Sequence, residues 1–333
     1  MMKITVEEAQ QLATAALQKL GYNAADTKII ADHLLDSELR GYGIAGLARI
    51  LSIGERLAGA PPSHSFTITK DEATTAQLDG EDTLGYLVAY KATQLAIQKA
   101  KAMGVAAVGA NNTFYTGMLS YYAEMAAAED LVTIIASNTS PWVAPEGTHK
   151  ALVGTNPFCV GIPTASDVPI IYDIGTSRII HAQVLLAQRT GNPLPPNTAF
   201  DAEGNSTTDP AAALEGALAV WGGAKGSGLA IAVQLLGILA GSPALPPNLE
   251  DFGYFVIAVD PGRFRPIEEF KCEVGNLVDA FHRTPAAGGL GMLRLPFERS
   301  NRVRDEARKE GTFEVDKVVV QKLKALVEGR YIG

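Results

Sequence analysis

The chain has 333 residues, of which 47% are hydrophobic and 19% are charged, so it can bury a large core, and we expect two lobes rather than one. Its 36 acidic residues outnumber its 28 basic residues, which gives a formal net charge of −8. This charge argues against a general nucleic-acid-binding protein, because such a protein needs a basic surface to displace counterions from phosphates.

The cysteines and the amino-terminal segment indicate the compartment. Cys159 and Cys272 are far apart and form no CxxC pair, which favours a reducing cytosol over a disulfide framework. The amino terminus turns polar at once, without the apolar core of a signal peptide. No run approaches the ~20 apolar residues that cross a bilayer. We therefore expect a cytoplasmic protein that has no membrane partner.

The first 62 residues are predicted to be helical. Thr5 and Glu8, three residues apart, form a capping box before a stretch with apolar residues at helical spacing. Glycines separate these helices from one another, and the Pro61-Pro62 pair ends the helical region. The expected helices are 6–20, 24–39 and 46–57.

Beyond residue 66, the pattern changes to strands that alternate with helices. Alternating residues over 66–78 predict hairpin strands. Strand and helix in turn favour helices packed around a sheet. The expected strands are 105–110, 131–137, 169–173 and 254–260, and the expected helices are 84–103, 118–128, 226–239 and 266–282, with two charged helices at the carboxyl end.

A glycine-rich segment with one lysine, Gly222 to Gly228, leads into the helix expected over 226–239. Glycines let a ligand approach the backbone, free amide groups at a helix N-terminus attract anions, and Lys225 adds a positive charge. Neither GxGxxG after a strand nor GxxxxGK[ST] occurs. The segment is therefore a candidate for nucleotide binding, although the glycines alone are also compatible with a tight turn and a solvated lysine.

Several motifs occur in a collinear order from about Leu35 to Arg302, and together they resemble the type 2 malate/L-lactate dehydrogenase family. The resemblance implies that family's own α/β fold, a mixed sheet flanked by helices that binds NAD(P) without the Rossmann motif. It also implies a homodimer with active sites at subunit contacts. The motifs are Asp36-Ser37-Glu38-Leu39-Arg40-Gly41 with Gly46 and Arg49, Asn138 to Pro145, Gly154-Thr155-Asn156-Pro157, Asp173-Ile174-Gly175-Thr176-Ser177, Asp209-Pro210, Lys225-Gly226-Ser227-Gly228 and Leu295-Pro296-Phe297-Glu298-Arg299.

The same resemblance implies a division of the chain and a set of binding residues. Residues 1–75 with 290–333 would form a helical lobe for substrate and dimer contacts, and residues 76–289 would form the α/β cofactor-binding core. A small carboxylate substrate would contact Arg49, Asn138 and Thr155. NADPH or NADH would contact Asp173, Ile174, Gly175, Thr176, Ser177, Ala224, Lys225, Gly226, Pro296, Phe297 and Glu298.

Arg49 corresponds to the family's arginine for the substrate carboxylate. A guanidinium suits this role because its planar fork matches both carboxylate oxygens. The alternative is a surface arginine on the third helix, beside the apolar residues Leu47, Ile50 and Leu51.

The chain departs from the family pattern where that pattern has histidines. Ala45 and Tyr115 occupy two such positions, and Tyr42 occupies a third. Reduction of a ketone produces an alkoxide that needs a nearby acid, which Ala45 cannot supply. Tyr42 and Tyr115 are the candidate catalytic residues, but an unperturbed phenol with a pKa near ~10 is a poor donor unless a cation lowers that pKa. A protonated C=N bond needs no such donor, because its nitrogen already carries the proton.

Three functions remain open on the sequence alone. The first is an NAD(P)H-dependent reductase of a C=N bond (a cyclic imine or 2-imino acid) or a C=O bond next to a carboxylate. The second is a malate- or lactate-type 2-hydroxy acid dehydrogenase with a tyrosine as proton donor. The third is a redox-inactive nucleotide-binding protein on the same scaffold. The five histidines (His33, His64, His149, His181 and His282) occur singly, so we expect no catalytic metal.

Overall fold

The computed structural model describes residues 1–287 and 293–330, so parts of the predicted segment 290–333 lie outside the described residues. The helices are α1 (Val6–Lys19), α2 (Ala24–Leu39), α3 (Ala48–Leu57), α4 (Gly85–Met103), α5 (Leu119–Ala127), α6 (His181–Thr190), α7 (Pro210–Glu215), α8 (Gly223–Leu239), α9 (Ile267–Arg283), α10 (Glu298–Glu310) and α11 (Lys317–Val327). The strands are β1 (Met2–Thr5), β2 (Thr67–Asp71), β3 (Thr75–Leu84), β4 (Val105–Phe114), β5 (Val132–Ser137), β6 (Val143–Ala144), β7 (Phe158–Ile162), β8 (Ile170–Ile174), β9 (Ala199–Phe200), β10 (Ser206–Thr207), β11 (Ala217–Ala219), β12 (Phe252–Val259) and β13 (Thr312–Val315).

A seven-stranded mixed sheet in the order β2-β3-β4-β12-β5-β7-β8 forms the centre of the molecule. Strands β3 and β4 are parallel, since α4 provides the crossover between them, and the other neighbouring strands are antiparallel. Alanines on α4 and α5, among them Ala92, Ala96 and Ala123, are fully buried in the core that these helices form with the sheet. Their small side chains allow close packing of helix on strand. The predicted α/β fold with a mixed sheet is confirmed.

A helical cluster of α1, α2, α3 and α11 packs around Leu17, Leu34, Leu51 and Leu323, whose side chains have no solvent exposure. The two ends of the chain meet here, because β1 pairs antiparallel with β13. The predicted capping box is present, with the Thr5 N–H donating to Glu8 Oε2 at 2.7 Å and the Glu8 N–H donating to Thr5 Oγ1 at 3.0 Å. The division of the chain at residue 75 remains a prediction.

A second, four-stranded sheet has the order β10-β9-β11-β6 and shares an apolar cluster with α6 and α8. Val143, Val184 and Leu218 are buried in this cluster. Sequence patterns do not predict α6, because the residue at its N-cap, Ile180, has an apolar side chain that cannot cap a helix and so gives no start signal. In the described ranges no helix is both long and apolar enough to span a bilayer.

Candidate active site

A cavity of about 460 Å³ lies where the turn before α3, the segment after β4, the end of β8 and the start of α6 meet. Its wall is largely aromatic and aliphatic, with polar groups at a few positions. This is the composition expected of a small-molecule site. Predicted site residues and family positions in the wall are Tyr42, Ala45, Arg49, Tyr115, Thr155, Asp173, Gly175, Pro296 and Phe297.

Arg49 reaches the cavity from the first turn of α3. Its Nη1 is buried without a hydrogen-bond partner among the described residues. The guanidinium carbon lies 4.3 Å from the centroid of the Tyr115 ring. The backbone of Tyr115 has a left-handed conformation, with φ of 52°, which is rare for a residue other than glycine. A buried, unsatisfied guanidinium N–H at a cavity wall is well suited to receive a carboxylate.

The turn that carries Ala45 rests on Glu38 of α2. The Leu47 N–H donates to Glu38 Oε2 at 2.7 Å. A Cβ atom at Gly46 would lie 2.1 Å from the same oxygen, so a larger residue here would displace the Glu38 carboxylate that holds the turn. Burial raises the pKa of Glu38 to about 7, although the hydrogen bond from Leu47 opposes the shift. The turn is therefore held in place by α2, and the Ala45 side of it forms part of the cavity wall.

Two buried tyrosines of the cavity, Tyr115 and Tyr86, are in environments that disfavour proton donation. Burial raises the pKa of Tyr115, with Arg49 acting in the opposite direction. Burial also raises the pKa of Tyr86 to about 12. A phenol with a raised pKa gives up its proton less readily, so these shifts weaken the case for Tyr115 as the acid. Tyr42 lies with its ring 5.7 Å from the guanidinium carbon of Arg299.

His181 is a cavity residue that sequence reasoning missed. It is the first residue of α6, and its ring stacks on Trp142 with centroids 3.9 Å apart and an interplanar angle of 11°. Its Nδ1 is buried and has no hydrogen-bond partner within the described residues. Burial, followed by the charges of Arg49 and Arg189, lowers the pKa of His181 to about 3. The imidazole is therefore neutral at physiological pH.

The segments predicted to contact a nucleotide are joined by backbone hydrogen bonds. The Thr176 N–H donates to the Thr155 carbonyl at 2.9 Å, and the Trp221 N–H donates to the Thr176 carbonyl at 2.8 Å. Helix α8 begins two residues later at Gly223, without a side-chain cap, and Lys225 is exposed in its first turn. Uncapped amide groups beside a lysine suit the phosphates of a dinucleotide. The residues present therefore fit NAD(P).

Asp173 is the acidic residue of this region and lines the cavity at the end of β8. Its Oδ2 accepts a hydrogen bond from the Ser120 N–H at 2.7 Å. The hydrogen bond fixes the carboxylate against the start of α5.

Some predicted site residues lie apart from the cavity wall. Asn138 donates to Ser242 Oγ at 3.0 Å and accepts from the Gly253 N–H at 2.7 Å, so both ends of its amide are used within the fold. Glu298 instead pairs with His282, with 2.7 Å between Oε1 and Nε2. The remaining residues flank the wall or form the start of α8, namely Ile174, Thr176, Ser177, Ala224, Lys225 and Gly226.

The family model for malate/L-lactate dehydrogenases matches residues 4–324 of the chain. The chain belongs to this family. It is 34% identical to the L-sulfolactate dehydrogenase of Methanocaldococcus jannaschii, over 98% of this chain and 96% of the relative. The solved structure of sulfolactate dehydrogenase from that organism superposes with a TM-score of 0.85 at 32% identity, covering 99% of this chain and 97% of the other.

Two further relatives differ in what they act on. The chain is 28% identical to the (2R)-3-sulfolactate dehydrogenase (NADP(+)) of Chromohalobacter salexigens, over 98% of each protein. It is 29% identical to the Delta(1)-pyrroline-2-carboxylate/Delta(1)-piperideine-2-carboxylate reductase of Pseudomonas putida, over 98% of this chain and 96% of the relative.

Family membership establishes the class of enzyme. The protein is an NAD(P)-dependent oxidoreductase, which leaves the redox-inactive alternative without support. In the part of the chain that the structure describes, no group of three or more His, Cys, Asp or Glu side chains is placed to hold a metal ion.

Proposed function

We propose that this protein reduces the C=N bond of a cyclic 2-imino acid with NADPH or NADH. The observation that carries the proposal is the combination of the buried Arg49 Nη1, which has no hydrogen-bond partner among the described residues, with Ala45 and Tyr115 at two of the three positions where the family pattern has histidines. Such a cavity is suited to a carboxylate, whereas neither the methyl group of Ala45 nor the buried phenol of Tyr115 is a good acid for an alkoxide. The reductase relative from Pseudomonas putida supports the same substrate class.

Arg49 would bind the substrate carboxylate through two parallel N–H donors. The substrate ring would then lie against Tyr115 and the aliphatic wall that includes Ile44 and Ile180. When bound, the nicotinamide nucleotide supplies a hydride with its electron pair. A protonated imine nitrogen already carries its proton, so the reduced product is a neutral amine that needs no acid from the protein.

A 2-hydroxy acid dehydrogenase is the second candidate. It is favoured by the 34% identity to a sulfolactate dehydrogenase over nearly the whole chain. That reaction needs a group that accepts a proton during oxidation and returns it during reduction. The raised pKa of Tyr115 and the methyl group of Ala45 argue against this candidate.

Changing Ala45→His is expected to separate the two candidates. A histidine at this position would supply the missing acid, so reduction of 2-oxo acids should rise, by at most the ~10²–10⁴-fold of a well-placed general acid. Reduction of cyclic imino acids should change little. The measurement is kcat/KM for both substrate classes, and Ala45→Asn is the control that adds bulk without an acid of suitable pKa. Equal gains for both classes, or for both variants, would count against the proposal.

We propose that Lys225 and the first amide groups of α8 hold the nucleotide phosphates. Changing Lys225→Ala should weaken NAD(P)H binding by ~1–3 kcal/mol, because a charge-assisted hydrogen bond to phosphate is lost. Fluorescence titration of the bound nicotinamide measures this change. Lys150→Ala is the matched control, since this exposed lysine lies outside α8 and the cavity wall. Unchanged affinity in the Lys225 variant would remove the lysine from the site.

We infer that a second copy of the chain covers the outer face of α8. Ile231, Leu235 and Leu239, spaced four residues apart on one side of the helix, are 48%, 59% and 67% exposed. Exposed apolar stripes of this kind mark interaction surfaces, and most soluble oligomers are symmetric homo-oligomers. Sedimentation at micromolar concentration should give a homodimer, which Leu235→Glu should weaken. A wild-type monomer would contradict this inference.

A further inference from the structure

We propose that His181 contacts the substrate nitrogen and accepts a hydrogen bond from the iminium N–H, so that it helps to select imines over ketones. This proposal rests on the proposed function. In the same substrate, Arg49 binds the carboxylate and His181 contacts the nitrogen. Ala45 and Tyr115 mark where the family's histidines are absent, whereas His181 enters the cavity from a different element, α6.

The position of His181 suits this contact. Its ring lies flat on Trp142 and lines the same cavity as Arg49 and Tyr115. In the described part of the chain its Nδ1 is a buried nitrogen without a hydrogen-bond partner, and such groups are rare unless a ligand or water completes them. In a 2-imino acid a single carbon separates the carboxylate from the imine nitrogen. A ligand anchored on Arg49 therefore presents its nitrogen close to its anchoring point.

Burial, followed by the charges around His181, keeps its imidazole neutral. Arg49 on α3 and Arg189 on α6 both disfavour a second proton on the ring, and Arg189 is itself ion-paired with Glu55. The ring also lies at the positive, amino-terminal end of α6, which opposes an imidazolium. Tyr115 and Trp142 add no charge of their own at neutral pH. A neutral imidazole retains one nitrogen that accepts hydrogen bonds.

This protonation state distinguishes the two substrate classes. In imine reduction the hydride forms a C–H bond at the imine carbon, and the π electron pair moves onto nitrogen to give a neutral amine. The imine is reduced, the nucleotide is oxidised, and no proton passes to or from His181. In ketone reduction the same step leaves an alkoxide, and a neutral imidazole would have to give up its only N–H proton to neutralise it.

The test compares two ligands that differ in one ring atom. Pyrrole-2-carboxylate carries an N–H beside its carboxylate, whereas furan-2-carboxylate carries an oxygen there and is otherwise alike. Calorimetry on the intact protein with saturating oxidised nucleotide should show that the pyrrole ligand binds about 3- to 10-fold more tightly, as expected for one added hydrogen bond. His181→Leu should abolish the preference, and His181→Asn, which keeps an acceptor oxygen, should retain part of it. His149→Leu is the control, because His149 is exposed and does not line the cavity.

The affinity of each variant for the nucleotide is measured to check that the variant is folded. If His181→Leu does not fold, the ligand preference of His181→Asn is compared with that of the wild type instead. If folded His181→Leu keeps the full preference for the pyrrole ligand, the assignment is overturned. It is also overturned if the wild-type protein shows no such preference. These results do not depend on turnover. If the protein reduces imines but the pyrrole preference does not depend on His181, only the role of His181 is rejected. If the pyrrole preference depends on His181 but the protein does not reduce imines, only the proposed reaction is rejected.

Discussion

Changing Arg49→Ala is expected to lower kcat/KM for every carboxylate substrate by ~10²–10³-fold while leaving nucleotide affinity unchanged. Two charge-assisted hydrogen bonds of ~1.5–3 kcal/mol each are lost, and these losses are not fully additive. The guanidinium lies against the Tyr115 ring, but its buried Nη1 has no hydrogen-bond partner among the described residues and is therefore available for the substrate. Steady-state kinetics with imino and oxo acids measures the effect.

Two control variants separate carboxylate binding from other effects. Arg49→Lys keeps the charge but not the planar fork, so its kcat/KM should fall between those of the wild type and the alanine variant. Arg302→Ala removes an exposed arginine outside the cavity wall and should leave kcat/KM unchanged. If Arg49→Ala has wild-type kcat/KM, Arg49 does not bind the substrate carboxylate, and the substrate must be anchored elsewhere.

The second large effect is expected on stability, from Arg40. This side chain is fully buried, with Nε 2.6 Å from Asp36 Oδ2 and Nη2 2.5 Å from Glu124 Oε2. Arg304 of α10 contacts the same two carboxylates at 3.1 and 3.0 Å. Changing Arg40→Met removes one cation, whereas Arg304 and Arg308 still contact Asp36, so the free energy of unfolding should fall by ~1.5–3 kcal/mol. Urea denaturation measures this loss.

This ion-pair cluster also supports the cavity. The Arg40 guanidinium carbon lies 4.3 Å from the centroid of the Phe297 ring, and Phe297 lines the cavity from a left-handed conformation with φ of 80°. We therefore expect folded Arg40→Met to bind substrate less tightly. Arg283→Met is the matched control, because its pair with Asp279 is exposed and should contribute less than ~1 kcal/mol. Equal stability losses in the two variants would contradict the special role of the buried cluster.

Local patterns predicted the helices that carry strong start and stop signals. The bounds expected for α2 agree with the structure, where Asn23 caps the helix by accepting from the Asp26 N–H. Helix α8 begins at Gly223, three residues before the predicted start at 226, because glycines give little helical signal of their own. Gly226 is required there by packing, since a Cβ would lie 1.5 Å from the Trp221 carbonyl oxygen. That requirement comes from the three-dimensional packing, and no local sequence pattern indicates it.

The candidate site was predictable only where its residues belong to sequence motifs. The family motifs placed Arg49, Thr155 and Asp173 near one another, and all three line the cavity. His181 could not be found in this way, because its importance depends on the stack with Trp142, which is distant in sequence, and no local pattern predicts that contact. Asn138 lies within a family motif, but its side-chain amide is occupied by hydrogen bonds to Ser242 and to Gly253 of β12.

The central claim, reduction of a C=N bond, is tested most directly by the wild-type protein itself. The measurement is the ratio of kcat/KM for a cyclic 2-imino acid to that for a 2-oxo acid of matched carbon number, with NADPH and NADH, across a range of pH. We expect the imino acid to be preferred and the preference to grow as the pH falls toward the pKa of the imine, because the protonated imine is the reacting form. Rapid reduction of the 2-oxo acid without turnover of the imino acid would contradict the account and favour a 2-hydroxy acid dehydrogenase.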